Sequence, residues 1–421
     1  MRGSRARRRL LGTAGVLALL AVATAAFADP TIEAYLQRGA AHLQRAEQLR
    51  RRGDREAARV QAREAEQFFQ AALDHAPDST RAALLGGQAA VFAGDLEGAR
   101  RWIERYRLLS TEGEQDPQLL LLAALTEVEL ARRPAVALGH LRRMQAIAPR
   151  VAAVQRDLLM YQALDAYAFQ MAGVEGYEEA VRLYRTAQVV ARRLGHPNKL
   201  RAARINEAIM LQRASRHAEA QALYEAFRKE EPSNPSWLMS VAVCLGDQNR
   251  FEEAIPLYRE VIAMGVPKDT DPEERRALER AWLRLGNCYR LVAGRTPDAD
   301  LAGKLAVDAK EAFERYIALA PDDHLGHRWL GTLLFEQMED PYGAEPHLRK
   351  AFQLEPLCAD PLRDLIRIHT RYPPPGEATE EAAAAWLAPV AAWQRELDEG
   401  TEVRRRALDA RKRDHGVDGC S

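Results

Sequence analysis

The stretch WLRLGNCY, residues 282–289, has the spacing Trp-x2-Leu-Gly-x2-Tyr and decides the fold. It is followed by Ala309, by the bulky Phe313 four residues later, and by Pro321 twelve residues after the alanine. A small residue lets two helices approach closely, and a proline ends the second helix because it lacks a backbone N–H. The stretch therefore predicts a pair of packed antiparallel helices.

The second half of this pattern recurs along the sequence. An alanine with a bulky residue four positions later and a proline twelve positions later is also found at Ala65/Phe69/Pro77, Ala137/Leu141/Pro149, Ala220/Tyr224/Pro232 and Ala344/Leu348/Pro356. The first two of these three residues occur without the proline at Ala99/Ile103, Ala180/Tyr184 and Ala254/Tyr258. Because proline makes up 21 of the 421 residues, chance would place fewer than one proline at that offset in eight cases. The protein is therefore built from tandem repeats.

These motifs resemble the tetratricopeptide repeat, over about eight units between residues 32 and 358. The resemblance implies an all-α fold, a right-handed superhelical solenoid of helix hairpins with capping helices at its C-terminal end. Gly87, Gly286 and Gly331 lie on first helices, where we expect them to face the alanine of the second helix.

Some repeats depart from the usual length of about 34 residues. The seventh has extra residues near 296–304, which we expect to form an exposed loop. Beyond Tyr372 a proline run interrupts the helices, and Trp386 and Trp393 lie on one face of a later helix that we expect to pack on the last repeat. The predicted domains are a signal peptide at 1–28, the repeats at 29–358, capping helices at 359–413 and a flexible tail at 414–421.

The first 28 residues have the order of a secretory signal. Five arginines precede an apolar run at 10–26, and Ala26-Phe27-Ala28 gives an A-x-A cleavage site before Asp29. The pattern predicts export to the periplasm or the exterior of a bacterium. The alternative is an uncleaved anchor in the inner membrane with the repeats outside.

The charge of the mature protein bears on its partners. Lys+Arg and Asp+Glu number 60 each, and removal of the five signal arginines leaves 55 basic residues against 60 acidic ones. A mildly acidic protein is unlike a nucleic-acid binder, because phosphate binding needs a concentrated basic surface, so we expect no nucleic-acid partner. No later stretch is long and apolar enough to span a membrane.

Motifs for catalysis, cofactors or metals do not stand out, so we expect no enzyme and no cofactor. His324 and His327 are three apart on a predicted helix, but packing explains them better than a metal does. Cys244 and Cys288 occupy equivalent positions in adjacent repeats and are expected to be small buried residues. Whether Cys358 pairs with Cys420, near the C-terminus, stays open.

The first helices of proteins similar to this one bind extended peptides. The candidate peptide-binding groove contains Arg280, Arg284, Asn287, Arg290 and Arg328, which fall on first helices of the seventh and eighth repeats. Arginine can hold a carboxylate through two hydrogen bonds, so the predicted ligand is an acidic peptide or the C-terminus of a partner protein. The alternative is that these arginines pair with acids of the protein itself, such as Glu336, Asp298 or Asp300.

The predicted function is that of a non-enzymatic scaffold or adaptor in the bacterial cell envelope, which binds segments of other envelope proteins. The alternative is an envelope enzyme, or the regulatory subunit of one, with its site in the irregular seventh repeat or the C-terminal region. A fold of this kind does not by itself decide between them.

Overall fold

A computed structural model of the protein describes residues 30–265, 272–376 and 379–415. Within these ranges the protein forms 19 α-helices and no β-strand. The predicted all-α helical-repeat architecture is confirmed. The predicted signal peptide, residues 1–28, and residues 416–421 of the predicted tail lie outside the described residues. None of the described helices is both long and apolar enough to cross a membrane.

Contacts divide the protein into two units, one up to Met210 and one from Leu211. The sequence did not predict this division. The first unit contains α1 Pro30–Arg51, α2 Arg55–His75, α3 Thr80–Ala93, α4 Leu96–Leu109, α5 Pro117–Glu129, α6 Pro134–Ile147, α7 Ala153–Gly173, α8 Tyr177–Arg193 and most of α9 Pro197–Arg213.

The second unit begins within α9. Its further helices are α10 His217–Glu230, α11 Pro235–Asp247, α12 Phe251–Met264, α13 Pro272–Ala293, α14 Ala299–Leu319, α15 His324–Glu336, α16 Pro341–Leu354, α17 Asp360–Arg371, α18 Glu380–Leu387 and α19 Val390–His415. Up to α16, odd numbers mark the first helix of a repeat and even numbers the second.

Each unit is layered in the same way. In the first unit α1 packs on α2, α3 on α4, α5 on α6 and α7 on α8, and the first helices also contact one another in the order α1, α3, α5, α7. In the second unit α11, α13 and α15 pack on α12, α14 and α16, and α11, α13, α15 and α17 contact one another in turn. Residues on the first helices of neighbouring repeats therefore share one face.

Gly286 and Gly331 of the first helices make room chiefly for the bulky residue of the second helix, and Gly331 also faces Ala344, as predicted. A Cβ atom on Gly286 would lie 2.7 Å from Cε1 of Phe313, and one on Gly331 would lie 2.7 Å from Cγ of Leu348. Phe313 is completely buried, which contributes about 2 kcal/mol relative to an exposed ring. Gly87 differs, because its nearest neighbour is Leu122 of the next first helix.

The extra residues of the seventh repeat were predicted to form a loop, but only residues 296–298 are irregular, and residues 299–304 belong to α14. α14 begins at Ala299 and runs for 21 residues, against 14 in α12 and α16. The side chain of Asp298 caps it by accepting hydrogen bonds from the backbone N–H groups of Asp300 and Leu301. An N-cap aspartate accepts hydrogen bonds from N–H groups that would otherwise lack partners. The helix therefore begins directly after Asp298.

The C-terminal helices of the second unit are attached through a buried histidine of α17. The ring of His369 is stacked on that of Trp386 in α18, with 3.7 Å between the centroids, and contacts the edge of Trp393 in α19 at 5.0 Å. His369 is 2% exposed, and its Nε2 atom lies 3.2 Å from Oε1 of Glu345. The two tryptophans therefore lie on two helices and not on the single helix predicted, and both pack against α17, which follows the last repeat.

Candidate functional site

The structure separates the predicted groove residues into an exposed pair and a buried group. Arg280 and Arg284 lie exposed on α13. Arg290, one turn before the end of the same helix, is half-buried, and Arg328 on α15 is buried with 9% exposure. Because α13 and α15 are adjacent first helices, Arg290 and Arg328 come together across their interface.

Arg290 is held in place without a carboxylate. Its Nε and Nη2 atoms donate to Oδ1 of Asn287 at 3.3 and 3.0 Å, and its guanidinium lies over the ring of Trp329, 4.7 Å from the centroid. Within the described part of the protein no carboxylate pairs with it. Burial lowers the pKa of Arg290, the charge of Glu336 opposes that effect, and the charge of Arg328 adds to it. The group still carries its positive charge at neutral pH.

Arg328 differs in having an acid of its own. Its Nη2 donates to Oδ2 of Asp360 on α17 at 2.7 Å, and its guanidinium also lies over Trp329, at 4.6 Å. Asp360 accepts a second bond from Arg363 at 2.6 Å. The alternative of pairing with the protein's own acids therefore holds for Arg328, which pairs with Asp360, an acid that the sequence did not indicate.

We call Asn287, Arg290, Arg328 and Trp329 the arginine–tryptophan site. Trp329 is half-buried and presents an aromatic surface beside two guanidinium groups. A cation over an aromatic face is stabilised by about 0.5 to 2 kcal/mol, and the remaining N–H groups of Arg290 can still donate. The site can therefore accept a carboxylate next to an apolar side chain. Sequence reasoning missed Trp329, although an arginine directly before a tryptophan on a first helix was a visible signal.

The first unit contains a related arrangement with a different partner. Arg50 at the end of α1 lies over the ring of Phe92 in α3, 5.2 Å from the centroid. Its Nη2 donates to Oε2 of Glu129 at the end of α5, at 2.7 Å. Both charged side chains are only about one quarter exposed. Here the cation is neutralised by the protein itself, two repeats away.

Other predicted candidates are accounted for by packing. His327 lies 3.1 Å from His347 between their Nδ1 atoms, and among the described residues no three His, Cys, Asp or Glu are placed to hold a metal. Cys244 and Cys288 are buried and free, and burial raises the pKa of each thiol to about 12. Cys358 is buried, whereas Cys420 lies outside the described residues.

Comparisons with known proteins bear on the repeat itself. Residues 205–272 match the family model described as the tetratricopeptide repeat. No curated protein matches the sequence.

Several solved structures are similar to parts of the protein. The C-terminal part of a TPR repeat-containing protein from Cytophaga hutchinsonii is 16% identical, with a TM-score of 0.41, over 65% of this chain and 95% of that one. The APC/C hetero-tetramer Cut9-Hcn1 gives 15% identity and a TM-score of 0.38 over 80% of this chain. The present protein spans 58% of that relative's length. Yeast Tom70 is 14% identical, with a TM-score of 0.35, over 92% of this chain and 67% of that one.

The residues matched by the family model include the hairpin of α11 and α12, which packs as the other hairpins of the second unit do. The spacing of alanine, bulky residue and proline recurs in both units. The protein therefore contains a tetratricopeptide-repeat segment at residues 205–272, within an all-α array of helix hairpins.

Proposed function

We propose that the protein is a non-enzymatic adaptor that binds an acidic segment or a free C-terminus of another protein at the arginine–tryptophan site. One observation carries this proposal. Arg290 is a half-buried guanidinium whose hydrogen bonds within the described residues go to the neutral amide of Asn287. Partial burial of a cation that hydrogen-bonds to no carboxylate costs free energy, of which the charge of Glu336 offsets a part, and a ligand carboxylate would offset more.

The surroundings fit such a ligand. Arg328 adds a second positive charge, and its pairing with Asp360 keeps it in place. Trp329 is half-buried with both guanidinium groups over its ring, and tryptophan and arginine are enriched at binding hot spots. Arg284 is exposed on the same helix and can attract an acidic ligand during approach. The ligand would thus place a carboxylate at Arg290 and an apolar side chain on Trp329.

Calorimetry with two short peptides tests the site directly. One ends in four acidic residues with a free carboxyl terminus, and the other is the same peptide with its terminus amidated. We expect Arg290→Gln to weaken the binding of the preferred peptide at least about tenfold, because one charged hydrogen bond contributes about 1.5 kcal/mol or more. Arg276→Gln, at an exposed position of the same helix, is the matched control. Equal affinity in both variants would refute the proposed site.

We also propose that the protein works in the bacterial envelope. The support is the order of charged, apolar and small residues in positions 1–28. Mass spectrometry of the protein from its native host should find a mature form that begins at Asp29. A full-length form in the cytoplasmic fraction would contradict export.

A further inference from the structure

A cleft of about 920 Å³ opens in the first unit, and all of its lining residues belong to that unit. Its walls are the second helices α2 and α4, so it is built from different helices than the arginine–tryptophan site. The lining residues of α2 follow one face of the helix: Arg63, Glu66, Gln67, Gln70, Leu73 and Asp74. At 1.5 Å per residue this face is about 16 Å long, enough for an extended segment of about five residues.

The floor of the cleft is apolar and fixed. Trp102, Leu73 and Ala93 line it and are each less than 10% exposed. The indole of Trp102 lies against Gly86 of α3, where an added Cβ would come within 2.6 Å of the ring. Its Nε1 donates to Oε1 of Glu66 at 2.7 Å, which ties α4 to α2. An apolar side chain of a ligand would find a preformed surface there.

The acids of the cleft already accept hydrogen bonds. Glu66 accepts from Trp102, and Asp74 accepts from Gln70 at 2.9 Å. Asp95 caps α4 by accepting from the N–H of Gly98 at 2.8 Å.

The arginines of the cleft have guanidinium N–H groups that bond to no acceptor in the described part of the protein. Arg63 has no hydrogen-bond or ion-pair partner among the described residues. Arg105 donates to the carbonyl of Pro77 at 2.7 Å, and Arg101 lies 3.8 Å from Asp95. Each guanidinium has five N–H groups, so most donors of these arginines are unused. The unused N–H donors of the cleft could therefore bond to acceptor groups of a ligand.

We infer that this cleft is a second binding site, which takes an acidic segment of a partner protein with an apolar side chain beside its carboxylates. The apolar side chain packs on Trp102, and the carboxylates bond to Arg63 and Arg101. The protein thus has one attachment point in each unit, and each is built independently of the other.

The test uses the full-length protein with ¹⁵N-labelled tryptophan, and a six-residue peptide of alternating leucine and glutamate with both ends blocked. The indole N–H resonance of Trp102, assigned with Trp102→Phe, reports on the cleft alone. We expect it to shift and saturate with this peptide, and not with a peptide of alternating leucine and glutamine. Arg63→Gln combined with Arg101→Gln should weaken binding about tenfold. Arg100→Gln, whose side chain bonds to Glu97 and not to the cleft, should leave it unchanged.

Several results would overturn the inference: an unmoved resonance, an equal response to the glutamine peptide, or full binding by the double variant. A shift that appears on raising the protein concentration alone would overturn it too, by making a second copy of the protein the occupant. The variant Arg290→Gln separates the two proposals, because it removes the arginine–tryptophan site and should leave this titration intact.

Discussion

Two arginine–aromatic pairs, one in each unit, differ in what neutralises the cation. In the first unit Arg50 over Phe92 bonds to Glu129, a carboxylate from a first helix two repeats away. In the second unit Arg290 over Trp329 bonds to the amide of Asn287, on its own helix. We propose that the same pairing of cation and ring serves two purposes. A carboxylate from the protein itself makes it a structural bridge, and on our proposal a neutral amide leaves the cation available to a ligand.

The largest effect on stability is expected from Arg328→Glu, since Arg328 is the arginine of this site that pairs with an acid of the protein, Asp360. The new carboxylate would be buried next to Asp360, its former partner. Loss of a buried charge partner typically costs about 3 kcal/mol or more, and the partly exposed Asp360 places this variant near the lower end. Denaturant unfolding should show the loss, and hydrogen exchange should confine it to the second unit.

The sequence identified Arg328 only as a candidate groove residue, and its bond to Asp360 is the reason to expect an effect on stability. An unaltered midpoint in Arg328→Glu would mean that the bond to Asp360 does not matter. Arg284→Glu is the control, because that side chain is exposed on the neighbouring first helix.

A smaller effect on stability is expected from Glu129→Gln, which would make Arg50 resemble Arg290 by removing its carboxylate partner. The glutamine keeps the shape of the side chain but leaves Arg50 without a carboxylate. We expect a loss of about 1 kcal/mol, since the pair is only partly buried. In an Arg290→Gln background, calorimetry with the acidic peptide should then detect more binding than in Arg290→Gln alone, in which the cleft of α2 and α4 is still present. If no additional binding appears, Glu129 is not what prevents Arg50 from binding a ligand.

The pH dependence of the second unit should reflect a histidine pair. His327 and His347 face each other, with Lys350 and Lys310 nearby. Burial lowers the pKa of both His327 and His347, and these lysines lower it further.

The folded second unit therefore binds fewer protons than its unfolded form. The stability from this pair is fully present above the unfolded pKa of about 6.5, and it is lost as the pH falls through the lowered folded values. We expect the second unit to be less stable at pH 5 than at pH 7. His347→Gln should flatten the pH profile, as followed by urea unfolding, and an unchanged profile would remove the pair as its cause.

Much of the helix framework could be predicted from the sequence because local signals specify it. Alanine and proline at fixed offsets located the second helices, and Thr379 caps α18 as its place before two glutamates indicated. The helical seventh-repeat insertion was misread, since Pro297 and two aspartates suggested a loop while Asp298 serves as an N-cap. Aspartate is a preferred N-cap residue, so the sequence could have indicated that Asp298 begins a helix.

The candidate site was predicted only in part. Helical spacing placed Arg290 and Asn287 on one face, and the repeat offset brought Arg328 beside them. The roles of Asp360 and Glu129 depend on how residues 32 and 79 positions apart in sequence pack together. No local pattern encodes those distances. The difference between a bridging arginine and a binding one therefore required the structure.

The smallest change in stability is expected for Asn287→Asp, within about 0.5 kcal/mol of the wild type, because the new pair with Arg290 lies three residues apart on one helix. Its effect on binding should nevertheless be clear. The substitution gives Arg290 a carboxylate of its own, as Glu129 does for Arg50.

Calorimetry of Asn287→Asp with the acidic peptide is the most direct test of the account, with Arg276→Gln measured alongside. We expect the affinity of Asn287→Asp for the acidic peptide to fall at least about tenfold, while its thermal midpoint stays the same or rises slightly. Undiminished binding by Asn287→Asp would show that the unneutralised charge of Arg290 is not what holds the ligand.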